Sequence, residues 1–129
     1  MIPKIEIQFK ITGSFDSEEF TKEIGLKPTH VWRAGDSVQK TLITRKTDGW
    51  RISIAEKSSY DLDVEINNLI LLLAPFKLSI IDFCNRKKLK AEFSCIITTE
   101  DNEFPSMHFG KGLLEEVLDY NAEIDIDIY

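Results

Sequence analysis

The stretch KIEIQFKITGSFDSEEFTKEIG, Lys4 to Gly25, sets two different periods end to end, and that pairing decides the fold class. Ile5, Ile7, Phe9 and Ile11 alternate with Lys4, Glu6, Gln8 and Lys10, the period of a strand with one buried face. The pattern then changes within a few residues. Asp16 is a good N-cap and Glu19 completes a capping box, so two otherwise unpaired backbone donors find acceptors. Phe15 and Phe20 bracket the cap as a hydrophobic staple. Glu18 and Glu19 occupy the first turn, where the helix dipole favours acids. Phe20 and Ile24 share a face, Gly25 supplies the left-handed residue that ends the helix, and Pro28 prevents its resumption. A half-buried strand followed by a capped helix from Ser17 to Ile24 predicts an α+β chain.

Working outward, Thr41 to Thr44 fits an edge strand. Asp48-Gly49 is a turn dipeptide, and Trp50, Ile52 and Ile54 then alternate with Arg51, Ser53 and Ala55, which fits a hairpin. Ser58 or Ser59 can cap a helix whose apolar positions Leu62, Ile66, Leu69, Ile70 and Leu73 follow the 3.6 period. Lys77 to Phe83 fits either a strand or a helix; Pro75 suits a first helical position and favours the helix. Leu89, Ala91, Phe93, Cys95 and Ile97 form a strand. Leu113, Leu114, Val117 and Leu118 give a last helix, with Asn121 as its left-handed cap. Ile124, Ile126 and Ile128 alternate with acids in a terminal strand. The expected order is β-α-β-β-α-α-β-α-β. It describes a single-domain α+β fold over residues 1–129, an antiparallel or mixed sheet with helices packed on one face.

At 129 residues the chain can bury roughly two thirds of its unfolded surface without metal or disulfide support. No apolar run approaches the ~20 residues that cross a bilayer, since Asn67-Asn68 and Ala74-Pro75 interrupt the longest. Met1-Ile2-Pro3-Lys4 lacks the pattern of a secretion signal. Cys84 and Cys95 form no CxxC pair and read as reduced core thiols of a cytoplasmic protein, with a single disulfide as the alternative, and no membrane partner is expected.

Charge is unevenly distributed. The net charge is −6, yet residues 100–129 hold nine acids against Lys111 alone, while Lys27 to Arg51 carries six bases and two acids. Wrapping of nucleic acid is disfavoured, because that needs clustered and uncompensated bases. A basic partner for the acidic end is allowed.

No catalytic motif stands out, and no cofactor is expected. Glu123, Asp125 and Asp127 project from one strand face about 6.6 Å apart, a spacing that converges poorly on one cation. Cross-strand bases such as Lys4, Lys10, Arg51 or Lys90 would neutralise them. His30 and His108 have no second ligand at metal spacing. Phe109-Gly110-Lys111-Gly112 lacks the form of a phosphate loop and reads as a helix start. The segment from Lys27 to Trp50 is different: it holds His30, Trp32, Arg33, Asp36 and Arg45 where no helix period runs. Costly aromatic and charged residues in loops are where recognition sits.

The run Phe9-x-Ile11-x-Gly13-x-Phe15-Asp16, then Thr21 and Ile24-Gly25-Leu26-x-Pro28-Thr29, then Trp32-Arg33-x-Gly35-Asp36, resembles a family of small bacterial proteins catalogued as domain of unknown function 4279. Gly49-Trp50 and the closing Ile124-Asp125-Ile126-Asp127-Ile128-Tyr129 extend the likeness over nearly the whole chain. Ser17 departs from a proline expected after the aspartate, and serine also suits that position. The resemblance implies a small α+β domain and no established activity. Two functions are therefore expected. The first is a non-enzymatic interaction domain, of the kind an immunity protein uses, that opposes Glu115, Glu116, Asp119, Glu123, Asp125 and Asp127 to a basic partner such as a toxin. The alternative is a small-molecule or peptide binding domain, or a weak enzyme, built on His30, Trp32, Arg33 and Asp36. An exposed sheet edge would also permit a homodimer.

Overall fold

The computed structural model describes residues 2–38 and 41–129; Met1, and Gln39 and Lys40 within the Lys27–Trp50 segment, lie outside the described residues. The strand read from the opening stretch is β1, Lys4–Gly13, and the capped helix is α1, Ser17–Ile24. Asp16 Oδ1 accepts from the amides of Glu18 and Glu19, and Gly25 ends the helix at φ 79°. The staple forms as an edge-on contact, with the Phe15 and Phe20 ring centroids 5.9 Å apart. β2, His30–Trp32, and β3, Asp48–Ser58, follow. Then come α2, Leu62–Leu73, a 3-10 turn at Ala74–Phe76 and α3, Lys77–Lys87. The chain closes with β4, Lys90–Thr98, α4, Lys111–Asp119, and β5, Ala122–Ile128. Asn121 adopts the left-handed conformation at φ 51° between the last two.

The five strands make one mixed sheet in the order β2-β3-β1-β4-β5. β1 is its centre, antiparallel to β3 and β4, while β5 lies parallel to β4. The period-2 pattern sends Ile5, Ile7, Phe9 and Ile11 of β1 to one face, where they join Trp50, Ile52, Phe93 and Ile97 under all four helices. Phe20 locks α1 onto this layer: its ring meets Trp50 at 5.0 Å and Phe83 of α3 at 4.9 Å, both edge-on. The Trp50 indole N–H donates to Thr21 Oγ1 at 3.1 Å, so its burial strands no donor. Phe9 packs on Phe93 at 5.0 Å and on Tyr120 at 5.3 Å, fixing the far end of the layer.

The other face carries no helix. Register places His30 beside Arg51, Arg51 beside Lys10, Lys10 beside Glu92, and Glu92 beside Glu123. A second polar row runs Ser53, Gln8, Ser94 and Asp125. The open face is thus basic toward β2 and acidic toward β5.

Four local expectations change. Thr41 to Thr44 is not a strand; Thr44 makes one isolated bridge with Ser37, and the edge of β3 is taken by His30–Trp32. Asp48-Gly49 is not a turn but the start of β3, so the hairpin does not form there. Ser58 and Ser59 do not cap α2: Asp61 holds that position, and Ser59 Oγ accepts from its amide at 3.2 Å. The continuous helical run Leu62–Lys87 is long and apolar enough, by length and composition alone, to cross a bilayer, contrary to the reading of its interruptions. Here Leu62, Ile66, Leu69, Leu73, Ile80 and Phe83 are spent on the core.

Candidate functional site

Pro28 releases the chain from α1, and Thr29 docks it on β3 by donating its amide to the Arg51 carbonyl at 2.8 Å. Alternation along β2 then turns His30 and Trp32 to the open face and Val31 toward the helices. Trp32 lies directly against Gly49, the one neighbour without a side chain to obstruct it. Arg45 covers the ring, its guanidinium carbon 4.3 Å from the ring centroid, and the His30 ring lies 5.8 Å away. Between Gly49, Arg45 and His30, Trp32 is only 7% exposed. Stacking a ligand ring on it is therefore not its role in this conformation; it is the floor on which Arg45 is held.

The β2–β3 connection folds back on itself to deliver Arg45. Gly35 donates to the Arg45 carbonyl at 2.8 Å, and the Arg45 amide donates to the Asp36 carbonyl at 2.7 Å. Gly35 needs its φ of 92° to make that turn, a region that favours glycine. Asp36 Oδ2 accepts the Arg33 amide at 2.8 Å. Asp48 ties the connection to the start of α1, its two oxygens accepting from Phe15 and Ala34 at 3.0 Å each. Those amides, Ala34 foremost, hold its carboxyl below the usual value.

The result is a cleft of about 590 Å³ lined by His30, Val31, Trp32, Asp36, Ser37, Val38, Arg45 and Arg51. It brings together three of the four residues expected from the sequence, His30, Trp32 and Asp36. Arg33 instead borders a separate hollow of about 380 Å³ with Ser14, Phe15, Asp16, Ser17, Trp32 and Asp48. Arg45 and Arg51 are the additions. Partial burial, then Arg51, then Arg45, lower the pKa of His30 below its ordinary value, so the imidazole is neutral at pH 7 and the cleft's positive charge is carried by the guanidiniums.

The acidic residues do not form one surface. Glu115, Glu116 and Asp119 belong to α4 in the helix layer, whereas Glu123, Asp125 and Asp127 line β5 on the open face. Lys77 binds both Glu116, at 2.9 Å, and Asp119, at 2.8 Å. Lys90 pairs with Glu123 at 3.3 Å, as one of the expected cross-strand neutralisations. Asp125 and Asp127 are exposed.

His108 is exposed in the connection before α4. Cys84 and Cys95 are free and buried, and burial pushes both thiols up to about 12, far from an activated thiolate. Among the described residues no group of three or more His, Cys, Asp or Glu could hold a metal ion.

Fold and site together define a small α+β domain with a helix-covered apolar face, a polar face opposite it and an arginine-lined cleft at one sheet edge. The chain belongs to the family described as Domain of unknown function (DUF4279), which matches residues 3–129. No curated protein and no solved structure matches it.

Proposed function

We propose that this chain is a non-enzymatic binding domain whose ligand enters the cleft between β2, β3 and their connection. The observation that supports it most directly is the convergence of Arg45, Arg51 and His30 on one concave space, on a floor fixed by Trp32 and Gly49. Concave sites with a few oriented polar groups are the usual form of a ligand pocket. The groups present hold charge and donate hydrogen bonds, while both thiols lie in the core. A thermal-shift and tryptophan-fluorescence screen of small molecules and short peptides tests the reading. Ligands that raise the melting temperature should perturb Trp32, and the response should vanish when Val38→Glu fills the cleft mouth. Hits unaffected by that change would overturn it.

A second reading is favoured by the exposed carboxylates Asp125 and Asp127 on the β5 edge strand: docking of a basic protein, as an immunity protein docks a toxin. Pairing of Glu116, Asp119 and Glu123 with lysines narrows that surface to Asp125, Asp127 and Glu115. Reversing Asp125 and Asp127 to lysine should then slow association with a captured partner and flatten its salt dependence. Unchanged association rates would rule this docking surface out.

A further inference from the structure

We propose that the cleft is an oxyanion site, in which Arg45 and Arg51 together grip the carboxylate or phosphate of a small ligand. This rests on the reading that the cleft is where the domain binds, and it adds the chemistry of what is bound.

Uncompensated charge is the first ground. Lys57, Lys77, Arg86 and Lys90 each lie within ion-pair distance of a carboxylate. Among the described residues, neither Arg45 nor Arg51 does. Among the described residues the one carboxylate in the lining is Asp36, and one of its oxygens already accepts the Arg33 amide. Lys10 follows Arg51 across the sheet and extends the positive end of the open face.

A stranded donor is the second ground. Arg51 Nε is removed from solvent and has no hydrogen-bond partner among the described residues. Buried donors on charged groups are costly to leave unpaired, and such an exception calls for an explanation. An oxyanion that draws the Arg51 fork into the cleft would satisfy it, in the bidentate manner for which guanidinium is suited, because an atom closed to water is closed to a ligand oxygen until the side chain shifts.

Preorganisation is the third. Arg45 does not wave in solvent; it is parked over Trp32, and Trp32 is parked on Gly49. Much of the rotamer entropy that an arginine loses on gripping a ligand has been lost already. The cleft is also larger than an inorganic anion fills, so the oxyanion is the anchor of a bigger molecule whose remainder meets Val38 and Ser37. His30, neutral beside two guanidiniums, can donate to or accept from that molecule, and an added negative charge would favour its protonation.

The test is calorimetric titration of the full chain with inorganic phosphate, citrate and neutral glucose, repeated for Arg45→Ala, Arg51→Ala, Arg51→Lys and the remote Lys90→Ala. Phosphate or citrate should bind and glucose should not, and whichever anion binds identifies the anchor. Each arginine-to-alanine change should weaken binding by roughly tenfold to a hundredfold, the range for hydrogen bonds to charged groups. Arg51→Lys should recover only part of the loss, and Lys90→Ala should bind like the parent. If Arg51→Ala fails to fold, Arg45→Ala carries the test, since its side chain stems from the connection and not from a strand. Anion binding indifferent to Arg45→Ala, or equal in the Lys90 and arginine variants, overturns the proposal. Neutral ligands that bind while both anions fail would sink the oxyanion assignment and leave the binding cleft standing; a cleft that takes neither sinks both.

Discussion

Gly49→Ala is the sharpest perturbation of the site. A methyl group built on Gly49 would lie 2.5 Å from Trp32 Nε1 and closer still to Cε2 and Cζ2. Ordinary carbon contacts are about 3.5–4.0 Å, so the indole must retreat by at least ~1 Å. That retreat disturbs its neighbours Arg45, whose guanidinium carbon is 4.3 Å from the ring centroid, and His30, whose ring is 5.8 Å away. Overpacking of this kind costs about 1–3 kcal/mol, and the lost cation–π contact adds ~0.5–1 kcal/mol. Replacing a strand glycine returns ~0.5–1 kcal/mol of backbone entropy, leaving a net loss of about 1–3 kcal/mol. For a chain of this size the melting temperature should fall by roughly 4–12 °C. Differential scanning calorimetry reads the loss. Tryptophan fluorescence reads the cause, because Trp50 is fully buried on the helix side and should report no change while Trp32 does. A melting temperature within 1 °C of the parent, with unaltered emission, would show that Trp32 does not rest on Gly49. The description of the cleft floor would then be wrong.

Three other outcomes follow from the same structure. Gly112, in the first turn of α4, has nothing within 4 Å of an added methyl group, so Gly112→Ala should stabilise by about 0.4–1 kcal/mol in urea unfolding; a loss would show an unseen contact. Partial burial, then Arg51 and Arg45, hold His30 below the ordinary imidazole value of 6.5, so the unfolded chain takes up the proton first; stability should be full above that value and fall as the pH drops below 6.5, and His30→Gln should flatten that slope in urea midpoints measured from about pH 7.5 down to about pH 5.5. Cys84 and Cys95 should resist a thiol reagent at pH 8 in the native protein and react with two equivalents in denaturant, because burial withholds the thiolate; fast native labelling of either would contradict its place in the core.

What the sequence disclosed and what it hid divide along one physical line. β1, α1 and β5 are legible because period and caps are local: Asp16 finds its amides two and three residues on, and the isoleucines alternate whatever else the chain does. β2 is three residues long, too short for a period, and exists because β3 offers it a partner. Leu42 and Ile43 look strand-like, yet they are fully and largely exposed in the connection, and His30–Trp32 takes the edge of β3 instead. The Asp48-Gly49 turn signal failed for a similar reason. Both residues serve distant needs, Asp48 by accepting amides from Phe15 and Ala34, Gly49 by making room for Trp32.

The site obeys the same division. His30, Trp32 and Asp36 stood out because expensive residues in an aperiodic segment are conspicuous. Arg45 lay in that segment, but only the bridge that returns the chain over Trp32 gives it a role. Arg51 was invisible as a ligand residue, because an arginine at a polar position of an alternating strand reads as solvent-facing. Its meaning comes from register, which sets His30 beside it on one strand and Lys10 on the other. The acidic tail divides on folding. Charge dense along the chain was expected to be charge dense on a surface, but a helix and a strand carry those acids to different layers, and lysines from α3 and β4 claim half of the six. The basic segment, weaker by count, survives folding with Arg33, Arg45 and Arg51 all unpaired among the described residues, and two of them line one cleft. Local charge that the fold leaves uncancelled, more than charge summed along the chain, is the stronger pointer to where this domain binds.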